Sequence, residues 1–210
     1  MATLPWHNRC NFPIRQVENF FQKTSSRTSR ETNKRQFKME KQDAIALLKA
    51  DHTAVKKLFG QEEKEEKKAK HDGQMKQEIF DQIKTALEVH ATIEEEIFYP
   101  AVKKARSENV KDEVREGYEE HKQIKDLLAK LSGVTPADET WDMKIKVLKE
   151  DVEHHVKEEE GEMFPDAKKF LGEKRLMELG KQLEERKQQL TKNPPSKPST
   201  ERYTAAHTAK

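Results

Sequence analysis

The sequence predicts an all-α protein: an up-down four-helix bundle with an additional C-terminal helix and disordered termini. Three observations predict it. Apolar residues recur at steps of three and four along four consecutive segments, which is the spacing of one helix face. Breaks such as His71-Asp72-Gly73 and Ser132-Gly133 separate the segments. Charged residues make up 38% of the chain and hydrophobic ones 33%. That balance suits helices that turn about three positions in seven toward a core and would serve a buried parallel sheet poorly.

The first helix is expected from about Asp43, a good N-cap, with the stripe Ile45, Leu48, His52, Val55, Phe59. The charged stretch after it, to Gly73, reads as an exposed extension or loop. The second starts near Gln74 and carries Ile79, Ile83, Leu87, His90, Glu94, Ile97, Ala101. The third runs from about Val110 through Val114, Gly117, His121, Ile124, Leu128, Leu131 and stops at Ser132-Gly133. Asp138 or Thr140 can cap the fourth, whose stripe is Trp141, Ile145, Leu148, Val152, His155, Glu159. Pro165 is expected to end or bend it. A further amphipathic helix, from about Gly172 to Leu190, is expected to pack along the bundle.

The 210 residues suit one domain with extra segments, here residues 39–190. Residues 1–38 are expected to be a flexible basic segment, with Arg9, Arg15, Arg27, Arg30 and Arg35 against two acids, Glu18 and Glu31. It reads equally as a mitochondrial transit peptide or as a stretch upstream of a start at Met39, with a basic arm as a third option. Residues 191–210, with Pro194, Pro195 and Pro198, read as a disordered tail.

The net charge is +2, with acids and bases interleaved, so nucleic acid is not an expected partner. No apolar run reaches the ~18 residues of a membrane span. Cys10 is the single cysteine, which excludes an intrachain disulfide and a cysteine zinc cluster. A cytoplasmic monomer is the expectation, or a mitochondrial one if residues 1–38 are a transit peptide.

Six polar residues sit on the apolar stripes: His52, His90, Glu94, His121, His155 and Glu159. Burying an unpaired polar group costs about 2 kcal/mol or more, and a carboxylate costs more still. A lone core histidine reads as a hydrogen-bonded structural residue, and a lone His-x-x-x-Glu as a surface pair. Six such residues spread over four helices call for a shared partner.

The pattern also repeats. "DHTAVKKLF" from Asp51 resembles "EHKQIKDLL" from Glu120, and "HATIEEEIFYP" from His90 matches "HVKEEEGEMFP" from His155. Each half is a helix pair giving one His from its first helix and His-x-x-x-Glu from its second. Packed face to face, the halves bring all six side chains to one level. His52 and His90 can then serve one ion, His121 and His155 another, with Glu94 and Glu159 bridging. Each ion has two nitrogens and two carboxylate oxygens. A bridging oxide or hydroxide makes five ligands and leaves one position open, which suits iron, or manganese, better than structural zinc.

At these residues, over about Asp43 to Pro165, the sequence resembles the hemerythrin family, in particular its HHE-type cation-binding members. The resemblance implies a non-haem di-iron centre held by His52, His90, Glu94, His121, His155 and Glu159. It also implies reversible oxygen binding, iron or oxygen sensing, or handling of iron or nitric oxide. One departure bears on this. Oxygen-carrying members have a His-x-x-x-His pair on the third helix, whereas Gly117 and Lys125 flank His121 here at that spacing. Redox reactivity or plain iron binding is therefore favoured over stable oxygen carriage. A ferritin-like site, built on Glu-x-x-His, does not match.

Three functions compete. The leading one is a binding protein that holds iron and reacts with a small diatomic ligand or peroxide, served by an unidentified redox partner. The second is a di-iron oxidase or peroxidase; no organic-substrate pocket or dedicated proton-relay residue is read from the sequence. The third is a metal-free helical interaction protein. Tyr118, one turn before His121, reads as a core tyrosine with a secondary option near the metal. His154 reads as a surface or supporting residue. Glu95, Glu96, Glu158 and Glu160 read as a solvated acidic collar with at most a minor role in capturing cations.

Overall fold

The structure, a computed structural model, describes residues 42–68, 73–104 and 108–192. The expectations for residues 1–38 and for the tail beyond Lys192 lie outside the described residues. Helix α1 spans Ala44–Glu66, and Asp43 caps it by accepting a hydrogen bond from the Ala46 amide at 2.8 Å. Helix α2 spans Gly73–Ile93 and passes through a π-helical turn, Glu94–Phe98, into the short α3, Tyr99–Val102. Helix α4 spans Glu108–Ser132. Helix α5, Trp141–Glu158, passes through a second π-helical turn, Glu159–Met163, into α6, Phe164–Lys192. Helix α1 pairs with α2 and α4 with α5, while α6 lies against α1 and α2.

Two apolar clusters fill the bundle. One gathers Leu48, Ile93, Phe98, Val114, Phe164 and Leu179, with others from the same helices. The second gathers Val55, Phe59, Phe80, Ile83, Leu128 and Trp141, again with neighbours. Each buried Leu, Ile or Phe stabilises the fold by about 1.5–3 kcal/mol. The six polar stripe residues are all buried in the chain interval between these clusters, so the bundle is apolar, polar, apolar along its length.

Two expectations need correcting. Of the two outcomes expected at Pro165, an end or a bend, the first does not occur: the chain stays helical through Pro165, as it does through Pro100. A proline ring clashes with the carbonyl four residues back and leaves its own nitrogen without a hydrogen. In both places the turn just before the proline is widened: the Tyr99 amide donates to the Glu94 carbonyl and the Phe164 amide to that of Glu159, five residues back. The wider turn moves the clashing carbonyl aside, and the helix continues. The break comes later, at Gly172, whose φ of 73° is open to glycine and strained for other residues. The second correction concerns the charged stretch after Phe59. Helix α1 runs on to Glu66 and buries Glu62 and Glu65.

Glu62 explains how that stretch can be inside. Lys76 is buried beside it and is ion-paired at 2.6 Å to Asp142. Burial raises the Glu62 carboxyl to about 7, although Lys76 pulls the other way. Between pH 4.5 and 7 the unfolded chain has therefore lost a proton that the folded chain keeps, so Glu62 lowers stability as pH rises through that window. Glu62→Gln is expected to lose less stability than the parent between pH 5 and pH 8. Equal urea midpoints for the two proteins at both pH values would contradict it.

Gly180 allows α6 to lie on the start of α1. A Cβ there would run into the Gln42 carbonyl oxygen and would stand 2.9 Å from the Asp43 carbonyl carbon. Backbone cannot swing away as a side-chain tip can. Gly180→Ala is expected to cost about 1–3 kcal/mol, read as a lower thermal midpoint.

Candidate metal centre

The four helices deliver the polar layer in two matched halves. His52 comes from α1 and His90 from α2, and their Nε2 atoms face each other at 3.1 Å. His121 from α4 and His155 from α5 do the same at 3.2 Å. Each glutamate then joins the two halves. Glu94 Oε2 lies 3.1 Å from His90 Nε2 and 3.3 Å from His121 Nε2. Glu159 Oε2 lies 3.3 Å from His52 Nε2 and 3.6 Å from His155 Nε2. Donor atoms of His52, His90, Glu94 and Glu159 all lie within 4.8 Å of one another, as do those of Glu94, His121 and His155. The structure thus brings together all six residues singled out in the sequence, in the expected pairs.

A carboxylate behind three of the rings fixes the tautomer. His52 Nδ1 donates to Glu160 at 2.9 Å, His121 Nδ1 to Glu95 at 3.0 Å, and His155 Nδ1 to Glu120 at 2.8 Å. His90 Nδ1 faces Asp51 at 3.9 Å. A hydrogen held on Nδ1 leaves the Nε2 lone pair pointing inward, the arrangement that metal-bound histidines adopt. Glu95 and Glu160 are therefore more than collar residues, and Asp51 and Glu120 were missed altogether. The repeat held the signal: an acid precedes His52 and His121, and another follows Glu94 and Glu159. The other two collar residues do face outward, Glu96 toward Arg186 at 2.6 Å and Glu158 toward His154 at 3.0 Å.

The electrostatics match a set of donors built around positive charge. Burial drives His90 down to about 4 and also lowers His121, so both favour the neutral imidazole that can bind a cation. Burial raises Glu94 far above the carboxylate range, and the charge on Glu159 adds to it. Burial acts the same way on Glu159, but His155, His52 and His90 outweigh it and keep that carboxyl low. Burial likewise opposes a proton on His155, yet the carboxylates of Glu159 and Glu120 raise it. Protons on Glu94 and His155 thus do what cations could do.

The fit to metal can be judged from unmet polar atoms. No hydrogen bond reaches either Glu94 oxygen, Glu159 Oε2 or His90 Nδ1, all of them buried. Two ligands about 2.1 Å from one ion stand ~3.0 Å apart at a right angle and ~3.4 Å apart in a tetrahedron. The contacts of 3.1–3.6 Å among these donors are such edge lengths. The residues fit a cation pair.

Aromatic rings close the layer and break its symmetry. Phe164 stacks on His52 with centroids 5.8 Å apart, and its repeat counterpart Tyr99 stacks on His121 at 5.4 Å. The Tyr99 hydroxyl donates to Glu159 Oε1 at 2.8 Å and stands 3.4 Å from His121 Nε2. Burial and the nearby carboxylates raise its pKa, so it stays a neutral donor. A polar hydrogen carrier therefore touches the centre, contrary to the sequence expectation. Tyr118 instead donates to the Glu95 carbonyl at 3.2 Å.

Room for that hydroxyl comes from Gly117, where a Cβ would lie 2.7 Å from it and 3.0 Å from Cζ. The repeat counterpart of Gly117 is Leu48, beside a phenylalanine that needs no such space. Gly117→Ala is expected to cost about 1–3 kcal/mol. Tyr99→Phe in the same chain should recover part of that loss in a double-mutant cycle of unfolding free energies. Full additivity of the two changes would separate Gly117 from Tyr99.

Two clefts reach the centre from outside. One, of about 160 Å³, is lined by Glu113, Glu116, Gly117, Glu120, Glu158, Glu162 and Met163 and ends on Glu159. The other, of about 510 Å³, ends on His52 and is flanked by Lys56 and Lys157.

Comparison with known proteins agrees with this architecture. A crystal structure of a hemerythrin HHE cation binding domain-containing protein, the Rv2633c homologue from Mycobacterium kansasii, superposes with a TM-score of 0.62. It is 24% identical, covers 72% of this chain and 88% of its own, and at that identity shows the fold alone. A DNA nickase from Nostoc sp. (strain PCC 7120) is 31% identical over 118 residues, 56% of this chain. The match spans 31% of that protein's length. The hemerythrin HHE cation binding domain matches residues 43–167, more than half of the sequence. The chain belongs to the hemerythrin HHE cation binding domain family.

Proposed function

We propose that this protein holds two non-haem iron ions and reacts with oxygen, nitric oxide or a related small ligand, in iron or oxygen handling or sensing. The observation that carries the reading is the buried layer of four inward Nε2 atoms and two carboxylates, three of whose four oxygens lack a hydrogen-bond donor. One ion would be held by His52 and His90, the other by His121 and His155, with Glu94 and Glu159 between them. The proposed cofactor includes an oxide or hydroxide bridge, and manganese is the other metal these donors suit. Bound there, iron supplies a reversible change of oxidation state and Lewis acidity toward a small ligand.

The chain's own residues do the rest. Glu95, Glu120 and Glu160 orient three of the imidazoles, and Asp51 faces the fourth at 3.9 Å. The apolar clusters on either side exclude water and strengthen every electrostatic contact in the layer. Loading displaces the protons that Glu94 and His155 otherwise favour, so metal affinity falls as pH is lowered.

A second reading, a di-iron oxidase or peroxidase, is favoured by one observation: the Tyr99 hydroxyl, a neutral proton donor hydrogen-bonded to Glu159. The nickase activity named for the Nostoc relative is not carried over. The cleft above Glu159 is lined by glutamates, which repel a phosphate backbone.

Elemental analysis is expected to find about two irons per chain. His90→Ala and His155→Ala should each lose at least one ion. A chain that takes up no iron and folds alike with and without chelator would instead be a helical interaction protein. Oxygen added to the reduced protein should raise a visible absorption band. Sustained consumption of peroxide with a reductant would shift the assignment to the enzyme.

A further inference from the structure

The cleft that ends on Glu159 has a feature that the buried centre does not require. Next to two of its lining residues, His154 Nε2 lies 3.0 Å from Glu158 Oε1 and 3.6 Å from Glu120 Oε1. The three donor atoms lie within 4.8 Å of one another, close enough to grip one cation. His154 is well exposed, Glu158 about one-third exposed and Glu120 mostly covered, so the trio steps from solvent inward.

Glu120 faces both ways. Its Oε2 accepts from Nδ1 of His155, while its Oε1 is buried, has no hydrogen-bond donor and turns toward His154. Below it the cleft wall holds Glu113, Glu116 and Glu162, and the residues lining the cleft include no lysine or arginine. At the inner end stands Glu159, 1% exposed, with Oε2 unmet by any hydrogen-bond donor. Surface carboxylates are common on helices and carry little meaning alone. Here six of the eight residues lining one cleft are glutamates, and they include two members of a three-donor cluster and the buried, unsatisfied Glu159.

We propose that Glu120, His154 and Glu158 form a transient docking site for a divalent cation, and that the glutamate-lined cleft passes the ion inward to Glu159 and the buried histidines. This rests on the reading of the buried layer as a metal centre and adds the route by which that centre is filled. The donors suit the role. Two carboxylates and one imidazole on an open surface hold a hydrated divalent ion weakly, because water competes and salt screens them. A cleft walled by one sign of charge concentrates ions of the other sign and speeds their capture. The other cleft sets Lys56 and Lys157 against a single glutamate, Glu160, which is already bonded to His52, and attracts cations less.

The test uses the full chain stripped of metal, with Co2+ as probe. Stopped-flow absorption of coordinated Co2+ gives the filling rate, and elemental analysis gives the final metal content. A His154→Ala, Glu158→Gln double variant changes two side chains outside the packed core. It is expected to fill roughly tenfold more slowly, with a weaker dependence on salt, and to reach the same final content. Lys56→Gln, on the other cleft, should leave the rate unchanged. The docking route is overturned if the double variant fills at the parent rate, if Lys56→Gln slows filling as much, or if the double variant ends with less metal. A parent chain that binds no Co2+ at all would instead overturn the metal centre itself, and the route with it.

Discussion

Four imidazoles and two carboxylates, packed into a space where three of the four carboxylate oxygens meet no hydrogen-bond donor, are the constraint around which this molecule is arranged. Such a set repels itself. It is tolerable only when positive charge lies between its members, as protons or as metal ions. The supporting acids behind the rings make the demand stricter, because a hydrogen held on Nδ1 cannot also serve Nε2. The apolar clusters on each side then supply the folding free energy that the polar layer subtracts.

Much of this was legible in the residues. Asp43, the stripes of α1, α2, α4 and α5, and the stop at Ser132-Gly133 follow from helix periodicity and capping. The six central polar residues stood out because leucine or isoleucine would be the ordinary choice at those positions. Periodicity at 3.6 residues assumes a regular helix, however, and it cannot register a widened turn, so the way the chain stays helical past Pro165 was not legible. Composition also failed at Glu62 and Glu65. Glu62 looks solvated until Lys76 is brought beside it from another helix, and Glu65 is covered although its lysine, Lys68, is a near neighbour in sequence.

The residues that support the histidines were hidden for a different reason. Asp51, Glu95, Glu120 and Glu160 sit next to the central residues in sequence, roughly 100° around each helix, where a solvated face would be the default. Each turns out to serve a ring on a different helix from its own. Glu95 and Glu160 do this reciprocally across the two halves, while Asp51 and Glu120 face the second helix of their own half. Tyr99 and Gly117 are where that reciprocity stops, and a single hydroxyl distinguishes the two sides of the centre.

The two π-helical turns have a consequence for the angular phase of the chain. Each inserts one residue between the glutamate that faces the layer and the aromatic ring that covers it. Excising that residue would restore an ordinary helix and rotate everything after it by about 100°. Tyr99 would then swing off His121, Phe164 off His52, and both prolines would meet the carbonyls they now avoid. Glutamate, ring and proline are thus linked through one extra amide in each half, and a length change there cannot be absorbed as it would be in a surface loop.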